Sequence, residues 1–143
     1  MTKNALLPDD LLRVVDANLN RLREGIRVIE DITRYKENNK KFARQLKELR
    51  HKARTENTLE LLKYRDSIND VLRSSTKSEQ SRTTIQNILL ANFKRAQESA
   101  RVLEEIYKLN DLEQSECFKA IRYELYNIEK EMLSTEDHYN HSL

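Results

Sequence analysis

Two stretches of the chain repeat the same polar residues at helical spacing. ANLNRLREGIRVIEDI, residues 17–32, returns as ANFKRAQESARVLEEI, residues 91–106, at a constant offset of 74. The repeated candidates for a functional site are Asn18, Arg21, Glu24 and Arg27 with Asn92, Arg95, Glu98 and Arg101. The planar guanidinium group of arginine can grip a phosphate through two parallel hydrogen bonds. The repeated residue types therefore point to the recognition of an anionic ligand.

The position of these residues on the helix leaves two explanations open. At about 100° per residue, Asn18 and Arg21 fall in an apolar sector of the helix, where a charge is costly unless it is paired or used. In the first explanation, arginine and glutamate at a spacing of three form a buried polar network that fixes the register of the helices. In the second, the two copies are symmetric half-sites for an anion in the bundle core. The small residues Gly25 and Ser99 would let a ligand approach closely.

Helices must position these residues. One Gly, one Pro and 35% charged residues are typical of a single, nearly all-helical domain. Apolar residues at helical spacing predict a first helix over about 9–35, second helices of each copy over about 40–62 and 112–133, and a helix through the second repeat. The predicted fold class is all-α, a four-helix bundle built from a duplicated helical hairpin with pseudo-twofold symmetry.

The chain is predicted to be one domain, residues 1–143, with four parts. Hairpin one covers about 9–63, a linker or lid about 64–78, hairpin two about 79–133, and a disordered tail about 134–143. The linker region is rich in Ser, Thr, Asp and Asn, which breaks the helical period. A connection of this length is either a flexible link or a functional lid.

Composition argues against several classes of protein. No run of about 18 apolar residues is present, so no membrane partner is predicted. The scattered aromatic residues form no stacking surface, which argues against nucleic acid. A chain whose one glycine is Gly25 cannot form a Walker loop, and no Cys/His cluster has zinc spacing. Cys117 is expected in the core, and this single cysteine together with the absence of an apolar signal sequence predicts a cytoplasmic protein.

Charge is unevenly distributed, although the net charge is only +2. Residues 40–65 hold nine Lys/Arg against three Asp/Glu, whereas residues 101–137 hold five against ten. Such blocks usually form solvated helix faces or pair with each other, which is the simpler interpretation. An anion-binding role for the basic block is the alternative.

The repeated stretches resemble a known family. RVVDANLNRLREGIRVIEDITRY, KELRH, ANFKRAQESARVLEEI and IRYELYNIEK, within about residues 11–133, look like the small helical domain that is fused before bacterial thiamine phosphate synthase or stands alone. That family is understood as monofunctional hydroxymethylpyrimidine phosphate kinases, and this sequence resembles the free-standing form. The family's linker pattern RDxxxDVG is RDSINDVL here, so Arg65, Asp66 and Asp70 match, whereas Leu72 replaces the glycine.

The resemblance implies an enzyme that uses ATP and Mg²⁺ to convert a pyrimidine monophosphate, 4-amino-5-hydroxymethyl-2-methylpyrimidine phosphate, into the diphosphate. The acceptor phosphate is already mostly dianionic near pH 7, so the site must hold two anions together rather than supply a strong base. The implied roles are catalysis by Arg21, Arg95, Glu24 and Glu98; substrate binding by Asn18, Asn92, Arg27, Arg101, Arg50, His51 and Arg122; and a lid formed by Arg65, Asp66 and Asp70. The ligands of the metal are not predicted.

An alternative function belongs to a different class. In it the repeats serve only packing, and the chain is a non-catalytic helical module that docks onto thiamine phosphate synthase or another partner. A homodimer is a further arrangement that the sequence allows.

Overall fold

The residues that the structure describes form four long helices and two short helical segments. The computed structural model describes residues 7–56, 58–76 and 84–142, without the side chains of Thr58 and of residues 135–142. The helices are α1 (Asp9–Asp31), α2 (Lys40–Lys52), α3 (Thr58–Leu62), α4 (Ile85–Tyr107) and α5 (Leu112–Ser142), and a π-helical turn (Ile32–Lys36) extends α1. No strand occurs within the described ranges, and the predicted all-α fold is confirmed.

The four long helices pack around one apolar core. α1 packs against α2 and α4, α4 packs against α5, and α2 also contacts α5, which closes the bundle. The buried residues recur at the spacing of one helical face, as in Val15, Leu22, Ile26 and Ile29 of α1 and Leu89, Phe93, Ala96, Ala100 and Leu103 of α4. None of the described helices is both long and apolar enough to cross a membrane.

The second helices of the two hairpins begin in the same way. Asn39 caps α2 by accepting a hydrogen bond of 3.1 Å from the Phe42 amide, and Asp111 caps α5 by accepting one of 3.1 Å from the Gln114 amide. The two capping residues are 72 positions apart, the offset that relates the second helices in sequence. These local features match; the pseudo-twofold symmetry of whole hairpins stays a prediction.

A π-helical turn shapes the connection from α1 to α2. The Glu37 amide donates to the Ile32 carbonyl at 3.1 Å, and the Thr33 hydroxyl donates to the Ile29 carbonyl at 2.7 Å. Asn38 then adopts a left-handed conformation with φ of 51°, which asparagine tolerates because its short polar side chain can form local hydrogen bonds. The chain therefore turns from α1 into α2 within residues 37–39.

Three predicted boundaries differ from the structure or lie outside it. The helix predicted over 40–62 ends at Lys52, where Ala53 leaves the helical conformation, and α3 follows as a separate short helix. The helix predicted over 112–133 continues as far as Ser142, and this stretch contains no glycine or proline to end a helix. Disorder of the tail from about residue 134 stays a prediction. The predicted start of hairpin two near residue 79 lies outside the described residues.

The prediction that Cys117 is a core residue is wrong. The buried face of α5 runs through Phe118, Ile121 and Leu125. Cys117 precedes Phe118 by one position, so its side chain points about 100° away from the core, and it is exposed.

Gly25 marks a close approach of α1 to α4. A Cβ atom at this position would lie 3.1 Å from the Asn92 carbonyl oxygen and 3.4 Å from the Ala96 Cβ. The sequence suggested room for a ligand beside Gly25, but the backbone of α4 occupies that space. The absence of a side chain therefore serves helix packing.

We expect Gly25→Val to lower the free energy of unfolding by roughly 2 kcal/mol, because over-packing a tight contact typically costs about 1–3 kcal/mol. Glu24→Val is the matched control, since it places the same β-branched residue on the exposed side of the same helix. Urea unfolding followed by circular dichroism measures both. Equal losses for the two variants would contradict the close contact.

Candidate functional site

Four predicted site residues line one cavity between α1 and α4. This α1–α4 cavity has a volume of about 540 Å³ and is lined by Asn18, Arg21, Ala91, Lys94, Arg95, Glu98, Ser99 and Val102. Residues from both copies of the repeat contribute, and cations outnumber carboxylates, which suits an anionic ligand. Arg21 is exposed, so the prediction of a charge within an apolar sector is wrong for it; a long side chain at the edge of that sector reaches solvent.

The two repeated asparagines are buried and make matched hydrogen bonds. The Asn18 amide donates to the Val14 carbonyl at 2.9 Å, and the Asn92 amide donates to the Ile88 carbonyl at 2.8 Å. Each bond fixes the orientation of its amide against its own helix. Asn18 also lines the α1–α4 cavity, whereas Asn92 is not among the residues that line it.

A second cavity lies between α1 and the linker. This linker cavity of about 440 Å³ shares Asn18 and Arg21 with the α1–α4 cavity, and its other lining residues are Asp10, Arg13, Val14, Asp16, Ala17, Asn20, Arg65, Asp66, Ser67 and Asp70. The three predicted lid residues therefore lie beside Arg21. Their action as a lid stays a prediction.

Arg65 attaches the linker to α1. Its guanidinium donates two hydrogen bonds of 2.9 Å to the buried carboxylate of Asp16, and these bonds raise the pKa of Arg65. Arg13 donates to the Asp66 carbonyl at 2.7 Å. The Asn69 side chain donates to the Asp66 carboxylate, also at 2.7 Å, which lowers the pKa of Asp66. These hydrogen bonds hold the first part of the linker against α1.

Three predicted site residues lie on exposed faces away from the α1–α4 cavity. Arg27 pairs with Asp31 at 3.3 Å, and Arg101 pairs with Glu105 at 3.2 Å, one helical turn later in each case. Glu24 is exposed as well. The expected buried ladder at a spacing of three is therefore wrong, because all three side chains are exposed and the two arginines pair at a spacing of four.

Arg50 and Arg122 are held in buried ion pairs. Arg50 donates to Glu30 at 2.6 and 3.2 Å, and Arg122 donates to Glu104 at 3.1 and 2.9 Å. The bond to Glu30 raises the pKa of Arg50, and bonds to Tyr126 and Glu104 raise the pKa of Arg122. The glutamates are 74 positions apart and the arginines 72, so both hairpins contain the same pair.

The signal for these pairs was present in the sequence, since Glu30 and Glu104 are identical positions of the repeat. Lys94 and Asp16 were missed because they have no counterpart at the offset of 74.

His51 lines a separate cavity between α1 and α2. Within the described part of the chain, no three His, Cys, Asp or Glu side chains are grouped to hold a metal ion, and ATP and Mg²⁺ stay predictions.

Comparison with known proteins identifies the family. A family model described as the ThiD2 family matches residues 13–131. The chain belongs to the ThiD2 family. This ThiD2 chain is 37% identical over 129 residues to a thiamine-phosphate synthase of Synechocystis sp., 41% over 121 residues to one of Thermosynechococcus vestitus, and 38% over 127 residues to one of Nostoc punctiforme. No solved structure matches it.

The relatives are much longer than the region they share with this ThiD2 chain. The matches cover 90%, 84% and 88% of this chain but only 38%, 34% and 36% of the three synthases. The chain thus spans about a third of the length of these relatives. Their names link the family to thiamine biosynthesis.

The prediction of a hydroxymethylpyrimidine phosphate kinase is wrong. The similar proteins are named thiamine-phosphate synthase and not kinase. The described chain is a small helical domain without a kinase fold. The resemblance to the helical domain associated with thiamine phosphate synthase is confirmed.

We expect Arg65→Gln to release the linker from α1. Amide hydrogen exchange within residues 64–76 should become about tenfold faster or more, since a hydrogen bond to a charged group contributes about 1.5–3 kcal/mol. Arg73→Gln removes a charge from the same segment without touching Asp16 and should leave exchange unchanged. Unaltered exchange in Arg65→Gln would refute the attachment.

For the buried ion pair in hairpin two, removing one partner should lower the free energy of unfolding more than replacing both partners with apolar residues. We expect Glu104→Ala to lower the free energy of unfolding by about 3–5 kcal/mol, because it leaves Arg122 buried without its carboxylate. The double variant Glu104→Leu/Arg122→Met should recover much of this loss, since apolar side chains of similar size need no partner. Guanidinium unfolding measures both, with exposed Glu105→Ala as the control. Additive losses would contradict a coupled pair.

Proposed function

We propose that this ThiD2 chain is a helical interaction module of thiamine biosynthesis that docks onto a thiamine-phosphate synthase, and that it acts by binding rather than by catalysis. The observation that carries the proposal is the coverage of the relatives. In each synthase, the region similar to this chain is one part of a protein about three times as long. Covalent linkage gives two such parts a high effective concentration, so that even a weak contact between them is populated.

The linker region carries the surface best suited to docking. Five large apolar side chains of α3 and the linker are between 51% and 94% exposed, and we name them the linker patch: Leu59, Leu62, Ile68, Val71 and Leu72. Several large apolar side chains left exposed on one short stretch of chain are suited to an interaction site. Leu72 stands where the resembled pattern has glycine, which enlarges the patch.

The linker patch is attached to the bundle at two points in its first half. Leu61 of α3 is buried in the core, and Arg65 is bound to Asp16 of α1. Farther along, Asn69 and Asp66 are joined by two hydrogen bonds. An ordered surface loses less conformational entropy on binding than a flexible one, which favours its use in docking. Contacts between domains of one chain typically bury about 600–1,500 Å², and a patch of this kind forms the apolar centre of such a contact.

We expect the purified chain to form a complex with a thiamine-phosphate synthase that lacks a ThiD2 region. Size-exclusion chromatography with light scattering detects the complex, and calorimetry gives its Kd. The double variant Val71→Asp/Leu72→Asp should weaken binding about tenfold or more, because it places two charges within the apolar contact.

The control is Leu109→Asp, which introduces one aspartate at an exposed leucine between α4 and α5. It should bind as the unaltered chain does. If no complex forms, or if Leu109→Asp weakens the complex as strongly as the double variant, this docking surface is wrong. Self-association through Val71 and Leu72 would assign the linker patch to a homodimer instead.

A further inference from the structure

A basic cavity between α1 and α2 has no part in the proposed docking. This α1–α2 cavity has a volume of about 550 Å³ and is lined by Glu30, Arg34, Asn38, Asn39, Lys40, Ala43, Arg44, Lys47, Glu48 and His51. Arg34 comes from the π-helical turn, and the basic residues of α2 stand one turn apart along a single helical face. Cations from two elements therefore surround one concave space.

The carboxylates of the cavity do not neutralise these cations. Glu30 is already bound by Arg50, so Glu48 is the remaining acidic group of the lining. Within the described residues, no ion pair or side-chain hydrogen bond is made by Lys40, Arg44 and Lys47. Excess positive charge therefore remains in the cavity.

Other lysines of α2 do have acidic partners. On its other side, Lys41 pairs with Glu131 at 3.5 Å and Lys52 pairs with Glu124 at 3.6 Å, both across the interface with α5. The lysines that face α5 thus have acidic partners, and the lysines and arginine that face the cavity do not. This division fits a helix with one face for packing and another for binding.

The second hairpin serves as an internal comparison. At the offset of 72, Arg50 corresponds to Arg122, and each arginine forms the buried ion pair with glutamate in its own hairpin. Around the ion pair the two hairpins differ. The basic residues of the first hairpin at positions 40, 44 and 51 are replaced in the second hairpin by Leu112, Glu116 and Tyr123. A helix of this type therefore packs without the cationic face, and packing alone does not account for it.

We infer that the α1–α2 cavity binds a small oligophosphate, a ligand with a diphosphate or longer phosphate chain. Lys40, Arg44 and Lys47 supply positive charges along α2, and Arg34 adds a planar guanidinium that can hold a phosphate through two hydrogen bonds. A single phosphate would leave most of these cations without a partner. The volume lies within the range of about 300–1,000 Å³ that small-molecule sites occupy, which favours a compact ligand over a polymer.

The test uses the full chain and isothermal titration calorimetry with inorganic pyrophosphate, tripolyphosphate and inorganic phosphate. We expect pyrophosphate and tripolyphosphate to bind about tenfold or more tightly than phosphate, since each further charge-assisted contact contributes at least about 1.4 kcal/mol. Arg44→Glu introduces the residue type that the second hairpin has at this position. Arg44 is exposed, so the variant should fold normally and lose pyrophosphate binding by about tenfold or more.

Lys47→Gln and Lys119→Gln form a matched pair, because position 119 is the counterpart of position 47 in the second hairpin. Only Lys47→Gln should weaken pyrophosphate binding. If both variants weaken pyrophosphate binding equally, the effect is due to the net charge of the protein and not to the cavity, and the proposal is overturned. The proposal also fails if pyrophosphate binds no more tightly than phosphate, or if a single-stranded RNA oligonucleotide binds far more tightly than tripolyphosphate. No synthase is needed, so the outcome is independent of the docking experiment.

Discussion

A glutamate buried in the first helix of each hairpin and bound by an arginine of the second is the constraint on which this bundle depends. Glu30 is 1% exposed and Glu104 5%, so neither carboxylate has water as a substitute partner. A buried charge without a partner is far more costly than a buried pair. The arginine must therefore lie opposite the glutamate, and this sets the register of α2 on α1 and of α5 on α4. The connecting turn and the matched caps are compatible with that register.

Much of the fold could be predicted because apolar periodicity reports directly on burial. Leu22 and Ile26 in α1, like Phe93 and Ala100 in α4, were placed on buried faces by spacing alone. Helix ends were less predictable. The stop at Lys52 depends on Ala53 leaving the helical conformation while it remains buried, and no glycine or proline marks that position. The helix predicted to end near residue 133 extends to Ser142, because polar composition alone does not end a helix.

The site was harder to predict than the fold, because spacing along one helix does not identify the neighbouring helix. Arg21 and Arg95 line one cavity, and their role there stays a prediction. Arg50 and Arg122 are also arginines, yet each is bound by a buried glutamate of another helix. Lys94 lines the α1–α4 cavity, although the repeat gave no reason to select it. Residue type indicates what a side chain can bind, whereas the partner across the helix interface decides what it does bind.

The short sequence distance within each ion pair has a consequence for folding kinetics. Glu30 and Arg50 are 20 residues apart and Glu104 and Arg122 are 18, whereas the contact between α1 and α4 joins segments about 70 residues apart. Closing the longer loop costs roughly 1 kcal/mol more chain entropy than closing either hairpin. Contacts that are local in sequence also form fastest. This separation favours a route in which each hairpin assembles first and the two hairpins then associate through α1 and α4.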